Sequence, residues 1–269
     1  MAKIIIAGGQ LMDAATLEDS SALAANYPLA NLLTLQPGER ARFSDPSAAY
    51  VVIDLGSAKA VTFAAVIAHN GGAAGEWRVR GATSEANLTG APGFDSGSGG
   101  VSFWPASGKP DADVFHSFMS FASQTFRWWR LDIDDAANAD GYFEAGRIML
   151  ASAWAPDTNF EFGAGLGWLD PSPVDIGVAG HLFPLKRPTH RVQTLPFRMV
   201  SAADCLGGIY ELQRLRGASG DIFVVLDPAD DDHLHRRMLH GLMHGTTAPL
   251  SIQFFKNYSF SLRVEELLV

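Results

Sequence analysis

The chain has one cysteine, Cys205, in 269 residues. That excludes an intramolecular disulfide and a cysteine-built metal cluster. No segment approaches the roughly 20 continuous apolar residues of a spanning helix, so no membrane span is expected. The opening stretch, MAKIIIAGGQLMDAATL, holds only a short apolar run and lacks the long core of a signal peptide, which points to synthesis in a cytoplasm. Positive charge is also scarce: 20 Lys and Arg face 29 Asp and Glu, for a net charge of −9. Neither half is basic, which argues against a protein whose task is gripping nucleic acid or an anionic membrane. There is no G-x-S-x-G nucleophile elbow, no H-E-x-x-H zinc motif and no fixed-period repeat.

What is present is apolar and turn-rich. Hydrophobic residues make up 47% of the chain and charged residues only 18%, with 27 Gly and 14 Pro, the balance of a folded, mainly β protein. Short Val-, Ile- and Phe-rich segments predict strands at 4–8, 41–43, 50–56, 60–70, 76–84, 116–121, 126–134 and 142–150. Turn clusters such as DPS, GSA, NGG and NADG separate them. The spacing predicts a β-sandwich over 1–152. GFDSGSGGVSFWPASGKPDAD (93–113) reads as a long exposed loop. Pro and Gly then interrupt the aromatics of 151–175, which we read as a domain junction. The second half, 153–269, predicts further strands carrying one or two helices. Residues 201–216 form the first, with Ser201 and Asp204 as a capping box, Gly217 as the stop, and Cys205, Ile209 and Leu212 on the buried face. A second helix is expected near 229–244, and 249–255 with 258–267 reads as a hairpin.

Several residues invite a chemical role. His69-Asn70 ends a strand, where loops commonly carry function. A catalytic His needs a nucleophile and an orienting carboxylate, and no such set is visible, so the pair reads as a structural strand end, with ligand contact as the alternative. The oxygen-rich run DIDDAANADG (132–141) lacks the spacing of a calcium loop and reads as an exposed hairpin. His240 and His244 would lie one helical turn apart, but no third ligand is evident, and no metal or cofactor is expected. Aromatic faces stack on sugars as well as filling cores. In FRWWRLDID, alternation sends Trp129, Leu131 and Ile133 to the core and Trp128 the other way, toward a loop, a neighbouring subunit or a ligand. Trp104, in the long loop, is the candidate exposed aromatic. In the terminal strand, Tyr258, Phe260, Ser261 and Leu262 precede any charge, so they are candidate subunit-interface residues on a pairing edge.

YPLANLLTLQPGERARFSD, then VVIDLG with a following strand ending in HN, then FRWWRLDIDD and GYFEAGRIML, resemble the galactose-binding-like (discoidin-type) jelly roll. The resemblance implies ligands, where there are any, at loops of one end; the framing cysteines of extracellular members are absent. ATLEDSS…YPLANLL and the second half, with DIFVVLDP and YSFSLRVEEL, are similar to distal-tail and tail-tube proteins of long-tailed phages, which implies a β-barrel or sandwich carrying the helices over 153–269. That resemblance implies a non-enzymatic virion protein: a homo-oligomeric ring, commonly a hexamer, that joins tail tube to tail tip, with tail-tube and tail-hub proteins as partners. Its sandwich would project outward, toward a host surface glycan, and DNA would pass only as non-specific cargo. The rival expectation is a monomeric carbohydrate-binding module or adhesin.

Overall fold

The structure is a computed structural model that describes residues 2–97, 99–105, 108, 115–244 and 249–268. The expected loop over 93–113 lies partly outside them. The first part of the chain runs through β1 (Ile5–Gly8), β2 (Thr16–Ser20), β3 (Ala41–Phe43), β4 (Ala49–His69), β5 (Glu76–Ala82), β6 (Phe94–Asp95), β7 (Val101–Ser102), β8 (Phe115–Asp134), β9 (Phe143–Ala145) and β10 (Arg147–Ala151). The rest forms β11 (Gly165–Leu169), β12 (Val174–Ile176), β13 (Leu182–Pro184), β14 (His190–Ser201), β15 (Asp221–Val225), β16 (Met238–Met243), β17 (Ser251–Phe254) and β18 (Asn257–Glu266). The protein is mainly β, as composition implied.

The sandwich is built around two long strands. β4 and β8 pair antiparallel along their length, with register shifts between Asp54 and Lys59. The GSA segment at 56–58 is therefore not a turn between separate strands. It is a corner inside β4, where Gly56 takes φ +72°, a left-handed conformation natural to glycine. On one side of the corner β4 pairs with β2, and on the other with β10. The bent ribbon thus supplies both layers of the sandwich. Val51, Ile53, Trp77, Trp129, Leu131 and Ile133 meet Val61, Ala64, Val66, Ile148 and Leu150 in one core. The alternation that assigned Trp129, Leu131 and Ile133 inward is correct: all three are buried.

The apolar run 63–68 has no polar alternate because both its faces are covered. Phe63, Ala65, Ile67 and Met149 point away from the sandwich core and pack on Ile5, Phe223, Val225 and Met238 of a second sheet. That sheet has the order β1-β15-β16-β18-β14-β11, with β17 on β18. Its far side, including Ile6, Ile222, Val224 and Leu262, packs on Cys205, Ile209 and Leu212 of the helix over residues 202–216. Ser201 Oγ accepts from the Asp204 N–H at 3.1 Å, and Gly217 ends the helix at φ +53°. A π-helical turn at Cys205–Ile209 lets Gly208 sit against Trp154.

Three expectations need correction. β1 belongs to the second sheet, through Ile5↔Val225, so the sheets do not divide at residue 152 with everything before it on one side. The expected helix near 229–244 is one turn, Leu234–Arg237; residues 238–243 form β16 because their apolar side chains fill both faces of a sheet. β18 is an inner strand, flanked by β14 on one side and by β16 and β17 on the other. Phe260 and Leu262 are core residues. Tyr258 packs on that core and Ser261 faces out opposite Pro196.

The two halves share a buried ionic cluster. Asp221, on β15, has Arg147 Nε at 2.7 Å and His240 Nε2 at 3.0 Å, and an ion pair with Arg216. Asp13 pairs with Arg147 at 2.9 Å and also with Arg216. Burial alone would raise the Asp221 carboxyl. The hydrogen bond from His240 and the charges of Arg147 and Arg216 outweigh it and hold the group at about 2.

Candidate functional site

The end of the sandwich that carries His69 does contain a serine. His69 Nε2 lies 2.9 Å from Ser117 Oγ, which the register of β4 with β8 brings from 48 residues away. The polarity is wrong for catalysis. His69 Nδ1 accepts from the Gly71 N–H at 3.1 Å, so Nε2 carries the proton and donates it to Ser117. Ser117 in turn donates to the Phe103 carbonyl at 2.7 Å. A nucleophilic serine needs the opposite arrangement. Phe103, Phe115 and Phe143 surround the imidazole, and burial pushes its pKa down to about 3. His69 is a neutral structural residue.

Asn70 is spent in the same way. Its amide donates to Asp140 at 2.9 Å and to the Tyr142 carbonyl at 3.2 Å, and its oxygen accepts from the Glu144 N–H at 2.8 Å. It pins the segment between β8 and β9 to the end of β4. That segment is a turn crossing to a different sheet, because β9 pairs with β3 and not with β8. Asp135 is buried within it, and burial raises its pKa. Trp104 is not a free platform: it is half-buried against the core, and Nε1 donates to the Gly71 carbonyl at 2.9 Å. Trp128 is covered by its own chain, on Val52, Ala82 and Leu88, with the Arg127 guanidinium 5.0 Å from its ring. His240 is buried on a strand beneath Asp221, and His244 is half-exposed beside Glu265, so the two do not share a helical face. Among the described residues no three His, Cys, Asp or Glu side chains converge as a metal would need.

A polar cleft of about 270 Å³ lies instead where β5, β8 and the start of β4 meet, lined by Ser47, Glu76, Arg78, Arg80, Arg130, Asp132 and Asp134. Arg80 grips Asp132 through Nε at 2.8 Å and Nη2 at 2.7 Å, and Arg130 Nε reaches the same carboxylate at 2.7 Å. Arg130 also lies 3.9 Å over the Tyr50 ring. These donors and acceptors are rigidly held and internally paired. They suit hydrogen bonding to a small polar ligand more than capture of a bare charge.

The least satisfied surface lies between the halves in sequence, where the chain looked merely irregular. Every residue of β11, β12 and β13 is exposed. Trp168 is 70% exposed, Ile176 72%, Leu182 65% and Phe183 60%. β11 lies at the edge of the second sheet, and the β12–β13 ribbon forms a two-stranded sheet of its own. Such a ribbon is marginal in water without something to pack on. The sequence signal was there: apolar residues at strand spacing, between turns, with no second apolar segment assigned to cover them.

No protein-family model and no curated protein matches this sequence. Solved structures do resemble part of it. Chitosan-binding module 1 of a chitosanase/glucanase from Paenibacillus sp. IK-5 matches at 11% identity, covering 53% of this chain and 98% of the module, with a TM-score of 0.40. The CBM32-3 module of a family 31 glycoside hydrolase from Clostridium perfringens matches at 11% identity over 54% of this chain and 94% of its own, with a TM-score of 0.42. The lectin domain of lectinolysin, complexed with Lewis B antigen, matches at 11% identity over 52% and 94%, with a TM-score of 0.39.

Proposed function

We propose that this chain is a structural subunit of a phage-type tail tip, which joins copies of itself into a ring between tail tube and tip. The observation that carries the assembly half of this reading is the exposed arm over residues 162–185. Relative exposures of 37–112% across its ten large apolar side chains leave roughly 1,000 Å² or more of apolar surface. Monomers rarely leave more than a few hundred Å² contiguous. The tail-tip half rests on the sequence pattern described above. Light scattering and negative-stain microscopy of the purified chain test it. A closed ring is the expected result, and a monodisperse monomer at micromolar concentration would sink the reading.

The polar cleft supports a second reading, a carbohydrate-binding module. It has fixed hydrogen-bonding groups, but both tryptophans that would serve as a sugar platform are packed into the fold. Glycan-array binding by a monomeric chain, lost in Arg130→Ala, would favour this reading over the first.

A further inference from the structure

We propose that the arm of one copy seats on the far end of the second sheet of the next copy, so that subunits join head to tail; this rests on the assembly reading above and names its partner. The arm and its seat lie at opposite ends of β14. β11 pairs with the beginning of β14, Leu169 opposite His190, and the β12–β13 ribbon belongs to that end. About 30 Å away, nine residues along the strand at ~3.3 Å each, a second apolar surface is exposed. There, between Phe197 and Val200, a bulge shifts the pairing with β18, and Met199 takes φ +56° with its side chain 53% exposed. A bulge re-aims a side chain, and a left-handed methionine is a strained way to do so.

Beside Met199, β18 and β17 continue the sheet, with Val200 opposite Tyr258 and Tyr258 opposite Ile252. Ile252 is 69% exposed, and Phe255 in the following turn 87%. The helix that begins directly after β14 adds Leu206 and Tyr210 on the face turned away from the sheet. Summed one by one, these five side chains expose on the order of 600–700 Å², against the ~800 Å² that one partner buries in a standard interface. The seat is apolar like the arm, but it is a different surface. A two-fold dimer joining arm to arm would leave every seat open. One arm and one seat per chain give a heterologous contact, which repeats until the ring closes.

The experiment uses two full-length variants. The arm variant carries Trp168→Asp and Ile176→Asp; the seat variant carries Tyr210→Asp and Ile252→Asp, with Phe255→Asp as an alternative seat change. All five positions are exposed, and circular dichroism and thermal melting check that each variant folds. Alone, each is expected at monomer mass. Mixed, the intact arm of the seat variant meets the intact seat of the arm variant, and the mixture is expected to stop at a 1:1 dimer. If the unaltered chain is itself a monomer, the assembly reading and this inference fall together. If the unaltered chain forms a ring and the folded seat variants do too, the seat is wrong while the assembly reading stands. A mixture that stays monomeric also overturns the head-to-tail arrangement.

Discussion

Arg147 Nε lies 2.7 Å from Asp221 Oδ2, and neither side chain is exposed to solvent. One residue belongs to the sandwich and the other to the second sheet, so the contact ties the halves together. Removing Arg147 leaves Asp221 with only Arg216 and His240, strips the Leu33 and Thr34 carbonyls of their donor, and empties a fully buried site. Arg147→Ala is therefore expected to destabilise the whole chain by about 3–5 kcal/mol, with both halves still unfolding in one transition. A fragment of residues 1–152 would expose Phe63, Ile67 and Met149 and is expected to be insoluble. Urea unfolding followed separately by fluorescence and far-ultraviolet dichroism checks this; two separated transitions would refute it.

Acid should weaken the fold well before it reaches the carboxylates. His69 titrates near 3 when folded, because of burial, and near 6.5 when unfolded. The unfolded chain takes up the proton first, so the contribution is intact above pH 6.5 and is lost as pH falls toward 3. Between pH 7 and 5 the loss from His69 alone is about 2 kcal/mol. His116, held well below its ordinary value by burial, adds to it. Asp221, held at about 2, remains ionised throughout this window. Chemical denaturation at pH 7, 6 and 5 measures the slope, and His69→Gln should flatten it. A stability unchanged over that range would contradict the buried, neutral assignment.

Two adjacent glycines should respond to alanine with opposite signs. A Cβ on Gly208 would stand 2.1 Å from Trp154 Nε1, whereas one on Gly207 meets nothing within 4 Å. Gly208→Ala is expected to cost about 1–3 kcal/mol through overpacking and to shift the Trp154 emission. Gly207→Ala, at an exposed helical position, is expected to gain about 0.5–1 kcal/mol. Equal effects at the two sites would mean that the indole does not rest on Gly208.

Changes in the terminal strand should cost folding and not merely assembly. Leu262 is buried opposite Leu195. Leu262→Ala is expected to destabilise the chain by about 2–5 kcal/mol. A well-folded variant with unchanged melting temperature but altered oligomeric mass would restore β18 as an interface.

Local pattern carried the sequence reading where local pattern decides structure. Alternation placed Trp129, Leu131 and Ile133, and the capping box placed Ser201, because neighbours a few residues away set both. It failed where distant residues decide. The run HLHRRMLHGLMH has histidines at helical spacing, but Asp221 and Phe223 draw His240 into a strand. Tyr258, Phe260 and Leu262 alternate as any half-buried strand does, and alternation does not distinguish an edge from an interior strand. Arg147, Arg216 and Asp221 carry no motif. They become a cluster only when two sheets face one another.

The pairing of β1 with β15 also sets a timetable. Ile5 meets Val225, 220 residues later in the chain. At about 5–20 residues per second, a ribosome needs on the order of 10–40 s to make the intervening chain. Until β15 is made, β1 has no strand to pair with beyond the bridge from Ile6 to Trp154, although the sandwich strands β2–β10 are complete by residue 151. β1 precedes every sandwich strand yet is among the last to be placed, and a chaperone acting on the nascent chain would find a lasting target in residues 4–6.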